Sequence, residues 1–123
     1  MKLTIHTDGG ARGNPGPAAI GAVIETVDGS SFMVHGKTKK RIEFGKKIGK
    51  TTNNVAEYTA VIEALNWLKD YEPRTMNYER ISFFLDSTLV VNQLNGLFKV
   101  KDAHLRELLM HVRKLEQEVG GTI

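Results

Sequence analysis

The feature that most narrows the fold is a change of hydrophobic period at Asn54: before it apolar and polar residues alternate in extended runs, after it they recur at helical spacing. Lys2 to Asp8 sets Leu3, Ile5 and Thr7 against Thr4, His6 and Asp8, and a glycine pair ends that strand. Ala18 to Val27 is a second strand, Asp28-Gly29 a hairpin signal, and Phe32 to His35 the returning run. Gly36 to Arg41 is a charged turn before Ile42 to Ile48, which predicts one long hairpin arm with a bend or bulge in it. From Asn54 to Tyr71 a helix is expected, with Glu57, Val61, Ala64 and Leu68 on one stripe and Leu65 beside them, so Glu57 points toward the core. Arg80 to Asp86 alternates again, and Thr88 to Asn95 forms a short helix stopped by Gly96. Asp102 then caps a longer helix through Leu105, Leu108, Leu109, Val112, Leu115 and Val119, ended by Gly120-Gly121. Hairpin strands followed by alternating helix and strand predict a mixed sheet with helices packed on it.

A chain of 123 residues without repeat or linker is expected to be one domain, and 41% hydrophobic with 25% charged residues is the usage of a packed one. The absence of cysteine excludes disulfides, thiolate zinc sites and cysteine nucleophiles, leaves carboxylates, histidines and hydroxyls for chemistry, and fits a cytoplasmic location. The longest near-apolar run, Ala18 to Ile24, is too short to span a bilayer, so no membrane association is expected. The net charge of +3 is unevenly placed. Lys37, Lys39, Lys40, Arg41, Lys46, Lys47 and Lys50 against Glu43 give this stretch +6 and the remainder −3. Such a patch suits a polyanion, and equally suits a solvated hairpin whose lysines protect its edge.

Three acids occupy privileged places. Asp8 and Asp86 each end a predicted strand, and Glu57 lies one turn into a helix on its buried stripe. If the strands are parallel neighbours, their carboxyl ends lie side by side where α/β sheets place ligands, and a helix crossing that edge presents Glu57 to both. Converging carboxylates repel one another unless a divalent cation is bound, and hard oxygen ligands favour magnesium or manganese over zinc. Each acid also has a plain structural reading. Asp8 before Gly9-Gly10 can form a turn, Glu57 can close a capping box with Asn54, and Asp86 can cap the short helix. All three together would be coincidences, and capping does not explain an acid on an apolar stripe. Around them, Gly9 to Gly16 offers main-chain N–H groups and the Asn14 amide, while Thr51-Thr52-Asn53-Asn54 stands at a helix amino terminus, a seat for phosphate or an N-cap.

Thr7-Asp8-Gly9-Gly10 with Gly13-Asn14-Pro15-Gly16, then Thr52 to Tyr58, then Asp86-Ser87 with Val90 closely resemble type 1 ribonuclease H in order and spacing, over Lys2 to Val119. The likeness is to compact bacterial and archaeal-type members, because Leu97 to Lys101 joins the late helices without a basic protrusion. It implies an α/β ribonuclease H-like mixed sheet, an antiparallel three-stranded meander extended by parallel strands with flanking helices. It also implies endonucleolytic hydrolysis of the RNA strand of RNA/DNA hybrids, with no obligate protein partner. Asp8, Glu57 and Asp86 match metal-binding acids of the family, which implies two Mg2+ or Mn2+ ions about 4 Å apart in the complete site, bridged by Asp8. Asn14 and Asn53 match residues at the minor groove and its 2′-hydroxyls, Thr52 and Asn54 the contact zone for the DNA strand, and Gly9 is expected among the substrate-binding residues. In two respects the chain departs from the family. The hairpin around His35 to Arg41 carries extra residues, and the family's fourth acid and histidine loop lie after a strand that Thr122-Ile123 only begins. The single domain over 1–123 is therefore expected to be incomplete at its carboxyl end, with final strand and helix truncated. The competing expectation is a catalytically impaired hybrid-binding module.

Overall fold

A computed structural model describes residues 2–34, 36–70 and 80–119. In chain order the elements are β1 (Lys2–Ala11), β2 (Gly16–Thr26), β3 (Phe32–Val34), β4 (Lys37–Lys39), β5 (Arg41–Thr51), α1 (Asn53–Asp70), β6 (Arg80–Phe84), α2 (Thr88–Leu94) and α3 (Ala103–Val119). The main sheet has the order β5-β2-β1-β6, antiparallel from β5 to β1 and parallel between β1 and β6, which is the expected meander extended by a parallel strand. Strand alternation assigns its faces: Leu3, Ile5, Ile24 and Ile81 are buried beneath α1 with Ala64 and Leu68, while His6, Asp8 and Phe84 lie exposed on the other face. The predicted α1 stripe is buried along its length, Glu57 included. A second cluster of Tyr58, Val61, Ile62, Leu65, Val90, Val112 and Leu115 fixes α2 and α3 against α1. Each such aliphatic side chain taken from water contributes about 1.5–3 kcal/mol, which holds the helices on one face.

Several boundaries differ from expectation for physical reasons. The glycines do not end β1: Gly9 and Gly10 pair with Ile20 and Ala19, and the strand continues to Ala11. In place of a charged turn, the stretch after Gly36 holds β4, which pairs with β3 as a separate two-stranded sheet, so there is no single hairpin arm. Phe32 seats that hairpin, fully buried and edge-on to Trp67 at 5.3 Å. The bulge lies instead at Ile48, where Ala18 and Ala19 pair with Gly49 and Lys47. That extra residue lets Lys47 and Lys50, three apart, share the helix-free face through their partners Ala19 and Pro17. The strand before Asp86 ends at Phe84. Asp102 caps α3 as expected, accepting from the Leu105 N–H at 2.9 Å. The expectations for His35, Tyr71, the helix stop at Gly120-Gly121 and the strand begun by Thr122-Ile123 lie outside the described residues. Among those described, no helix is long and apolar enough to cross a membrane.

Candidate active site

The last β1–β6 pair is His6 with Phe84, two residues short of Asp8. Beyond it β1 has no parallel neighbour, and the chain leaving β6 carries Asp86 past that open edge. Asp86 thus stands just outside its strand and Asp8 inside β1, opposite Gly21, which is itself opposite Gly45. At that level no side chain rises from β2 or β5, and Asp8 and Asp86 line one open groove with His6, Gly21, Gly45 and Phe84.

Glu57 arrives from the helix side. A Cβ at Gly9 would lie 2.3 Å from the Ala56 carbonyl oxygen and 2.7 Å from the Glu57 nitrogen, so only glycine admits α1 this close to β1. Glu57 is 8% exposed, and its Oε2 has no hydrogen-bond partner among the described residues. Burial pushes its carboxyl above the ordinary range, the Gly9 N–H opposes that shift, and the charges of Asp8 and Asp86 add to it. The two aspartates therefore act on Glu57 from the groove while the glutamate approaches from the other side of β1. Among the described residues no three His, Asp or Glu side chains stand at a spacing that already encloses an ion.

The plain structural readings of the acids fail one by one. Thr52 caps α1, its Oγ1 accepting from the Val55 N–H at 3.3 Å and its carbonyl from the Ala56 N–H at 3.0 Å, so Glu57 closes no box with Asn54. Ser87 caps α2 by accepting from the Val90 N–H at 3.3 Å, which leaves Asp86 unneeded there. Asp8 makes no turn. None of the three has an ion-pair partner among the described residues. An all-carboxylate set with one buried, unpartnered oxygen fits a hard divalent cation. Sequence reading missed Ser87 as the cap, although a serine three residues before Val90 carries that signal.

Beside the acids, the Gly13-to-Gly16 loop is tied to α1 by two asparagines. Asn53 Oδ1 accepts from the Ala11 N–H at 2.7 Å, and Asn14 Oδ1 accepts from the Asn53 N–H at 3.1 Å. Because each carbonyl oxygen faces a backbone donor, each amide NH2 turns outward, and both asparagines are exposed. Gly16 closes the loop where a Cβ would fall 1.6 Å from the Arg12 carbonyl oxygen. Thr52 and Asn54 are half-buried at the start of α1, and Gly9 is buried beneath it. The basic stretch divides. Lys47 and Lys50 flank this loop, Lys46 faces Glu63 on α1 at 3.6 Å, and Arg41 is held by Glu25 and Glu43 four residues from the Asp8 level, about 13 Å away along β5.

The sequence profile of RNase H matches residues 1–118, and the chain belongs to the RNase H family. Ribonuclease HI of Halobacterium salinarum is 39% identical over 114 residues, covering 93% of this chain and 50% of the relative. A bifunctional protein of Mycobacterium tuberculosis is 37% identical over 118 residues, 96% of this chain and 29% of its own length. The chain thus spans half or less of these curated relatives. Among solved structures, LC11-RNase H1 in complex with an RNA/DNA hybrid matches with a TM-score of 0.82 at 39% identity, over 98% of this chain and 81% of that one.

Proposed function

We propose that this chain hydrolyses the RNA strand of RNA/DNA hybrids internally, with Asp8, Glu57 and Asp86 holding divalent cations at the open edge of β1. The observation that carries this reading is Glu57, a carboxylate 8% exposed whose Oε2 has no partner among the described residues, placed under the charges of two aspartates that have no ion-pair partner among them either. Bound Mg2+ or Mn2+, two ions by family likeness, would supply the positive charge that lets these acids stay ionised together and that stabilises the added negative charge of phosphodiester hydrolysis.

The remaining roles belong to the chain itself. Gly9 is positional: by admitting α1 it brings Glu57 to β1, and its N–H favours the ionised carboxylate. The outward NH2 groups of Asn14 and Asn53 donate to acceptors in the minor groove, including 2′-hydroxyl oxygens, the group that distinguishes RNA from DNA. Thr52, its oxygen occupied by the Val55 N–H, keeps its O–H as a donor, and with Asn54 at the α1 amino terminus it receives a phosphate of the DNA strand. LC11-RNase H1, bound to an RNA/DNA hybrid, supports this substrate.

A second reading has one observation in its favour: no three acids yet enclose an ion among the described residues, as expected of a module that binds hybrids without cutting them. A labelled hybrid incubated with Mg2+ or Mn2+ decides. Internally shortened RNA with an intact DNA strand supports the enzyme, and tight binding without products selects the module.

A further inference from the structure

We infer that Tyr58 and Gln93 are a positioning pair that fixes Asp86 relative to Glu57, an inference that rests on the metal site proposed above. Tyr58 follows Glu57 on α1 and is fully buried, and its hydroxyl donates to Gln93 Oε1 at 2.7 Å in the interior. Gln93 lies in the last turn of α2, the helix that begins beside Asp86 and is capped by Ser87.

What holds Asp86 in place is therefore α2 on one side and, on the other, Leu85, half-buried against the Tyr58 cluster. Asp86 itself stands beyond the end of β6, so no ladder bond fixes it. Only two side chains of the seven-residue α2 are buried, Val90 and Gln93. Val90 packs into an apolar cluster, and such contact is non-directional; at the carboxyl end of α2 the Arg113 guanidinium donates to the Leu94 carbonyl, which ties the helix to α3 and not to α1. The Gln93 hydrogen bond is directional and fixes α2 to the residue next to Glu57. Packing alone does not require it: a Phe–Leu pair of similar shape would fill the same space, and replacing both partners of a buried neutral bond by apolar groups is nearly neutral for stability.

The test is Mn2+ binding to the free protein, followed by electron paramagnetic resonance, for wild type, Tyr58→Phe and the double variant Tyr58→Phe/Gln93→Leu. Tyr58→Phe is expected to bind Mn2+ about tenfold more weakly, the low end of what outer partners of metal ligands cost. Hybrid binding in EDTA should not change. The double variant should recover the melting temperature and not the Mn2+ affinity, because it refills the core without restoring the directional link. Mn2+ affinity equal to wild type in both variants overturns the inference, whatever the melting temperatures. Wild-type Mn2+ binding that survives Asp8→Asn unchanged refutes the metal site itself, and the positioning role with it.

Discussion

Glu57→Gln should make the protein more stable without divalent cations while removing its activity. In the folded chain the Glu57 carboxylate is buried, its Oε2 has no partner among the described residues, and Asp8 and Asp86 repel its charge. A buried polar group without a partner costs about 1–3 kcal/mol. The amide has the same shape and no charge but still leaves one polar atom poorly matched, so a gain of about 1 kcal/mol is expected, equivalent to about 4 °C in melting temperature for a chain of this size. The pH dependence follows from the raised pKa. The folded state holds the Glu57 proton more tightly than the unfolded chain, so wild type is penalised at pH above the raised value. That penalty shrinks as pH falls through the raised value and is gone only below the ordinary value of 4.5, where both states are protonated. Thermal unfolding in EDTA should thus show the variant ahead at pH 7.5 and level with wild type at about pH 3.5, and saturating Mg2+ should restore the advantage of wild type. A variant less stable than wild type at pH 7.5 in EDTA, or equally ahead at both pH values, would refute the reasoning.

Asn14→Ala should narrow the preference for hybrid over duplex DNA, because it removes an outward NH2 donor and loosens the tie between the glycine loop and Asn53; competition binding in EDTA measures the ratio, and an unchanged ratio removes Asn14 from 2′-hydroxyl recognition. Charge reversal at Lys47 and Lys50, which share the helix-free face beside that loop, should weaken hybrid binding and flatten the slope of log affinity against log salt by about 0.9 per phosphate lost, about 2 for the pair. The same reversal at Lys39 and Lys40, beyond the opposite end of β5, should leave the slope unchanged; equal effects at both ends would mean that the whole basic stretch contacts phosphate.

The parts legible from sequence were those that depend on local period and caps. The α1 stripe, the Asp102 cap and the stop at Gly96 follow from helical spacing and short-range bonds, and the structure holds them as expected. The acids could be singled out because Glu57 lies on an apolar stripe. The rest depends on contacts between distant residues. A glycine run looks like a strand end, yet Gly9 stays in the ladder because α1 needs its missing side chain. Lysines at 37 and 39 look like a turn, yet β4 forms because Phe32, buried against Trp67, seats its partner strand. The bulge at Ile48 depends on register with β2, and Tyr58 with Gln93 on a meeting of helices 35 positions apart. No short window of sequence contains either.

The central claim is that Asp8, Glu57 and Asp86 act as one cation-dependent site on the RNA strand. The most direct measurement is cleavage, with Mg2+ or Mn2+, of an RNA/DNA hybrid carrying different labels on its two strands, by wild type and by Asp8→Asn, Glu57→Gln and Asp86→Asn. Wild type should cut only the RNA, internally and not in EDTA. Each variant should bind the hybrid in EDTA as wild type does and release no product. Cutting of the DNA strand, or RNA cleavage that survives any of the three substitutions at the wild-type rate, would contradict the account.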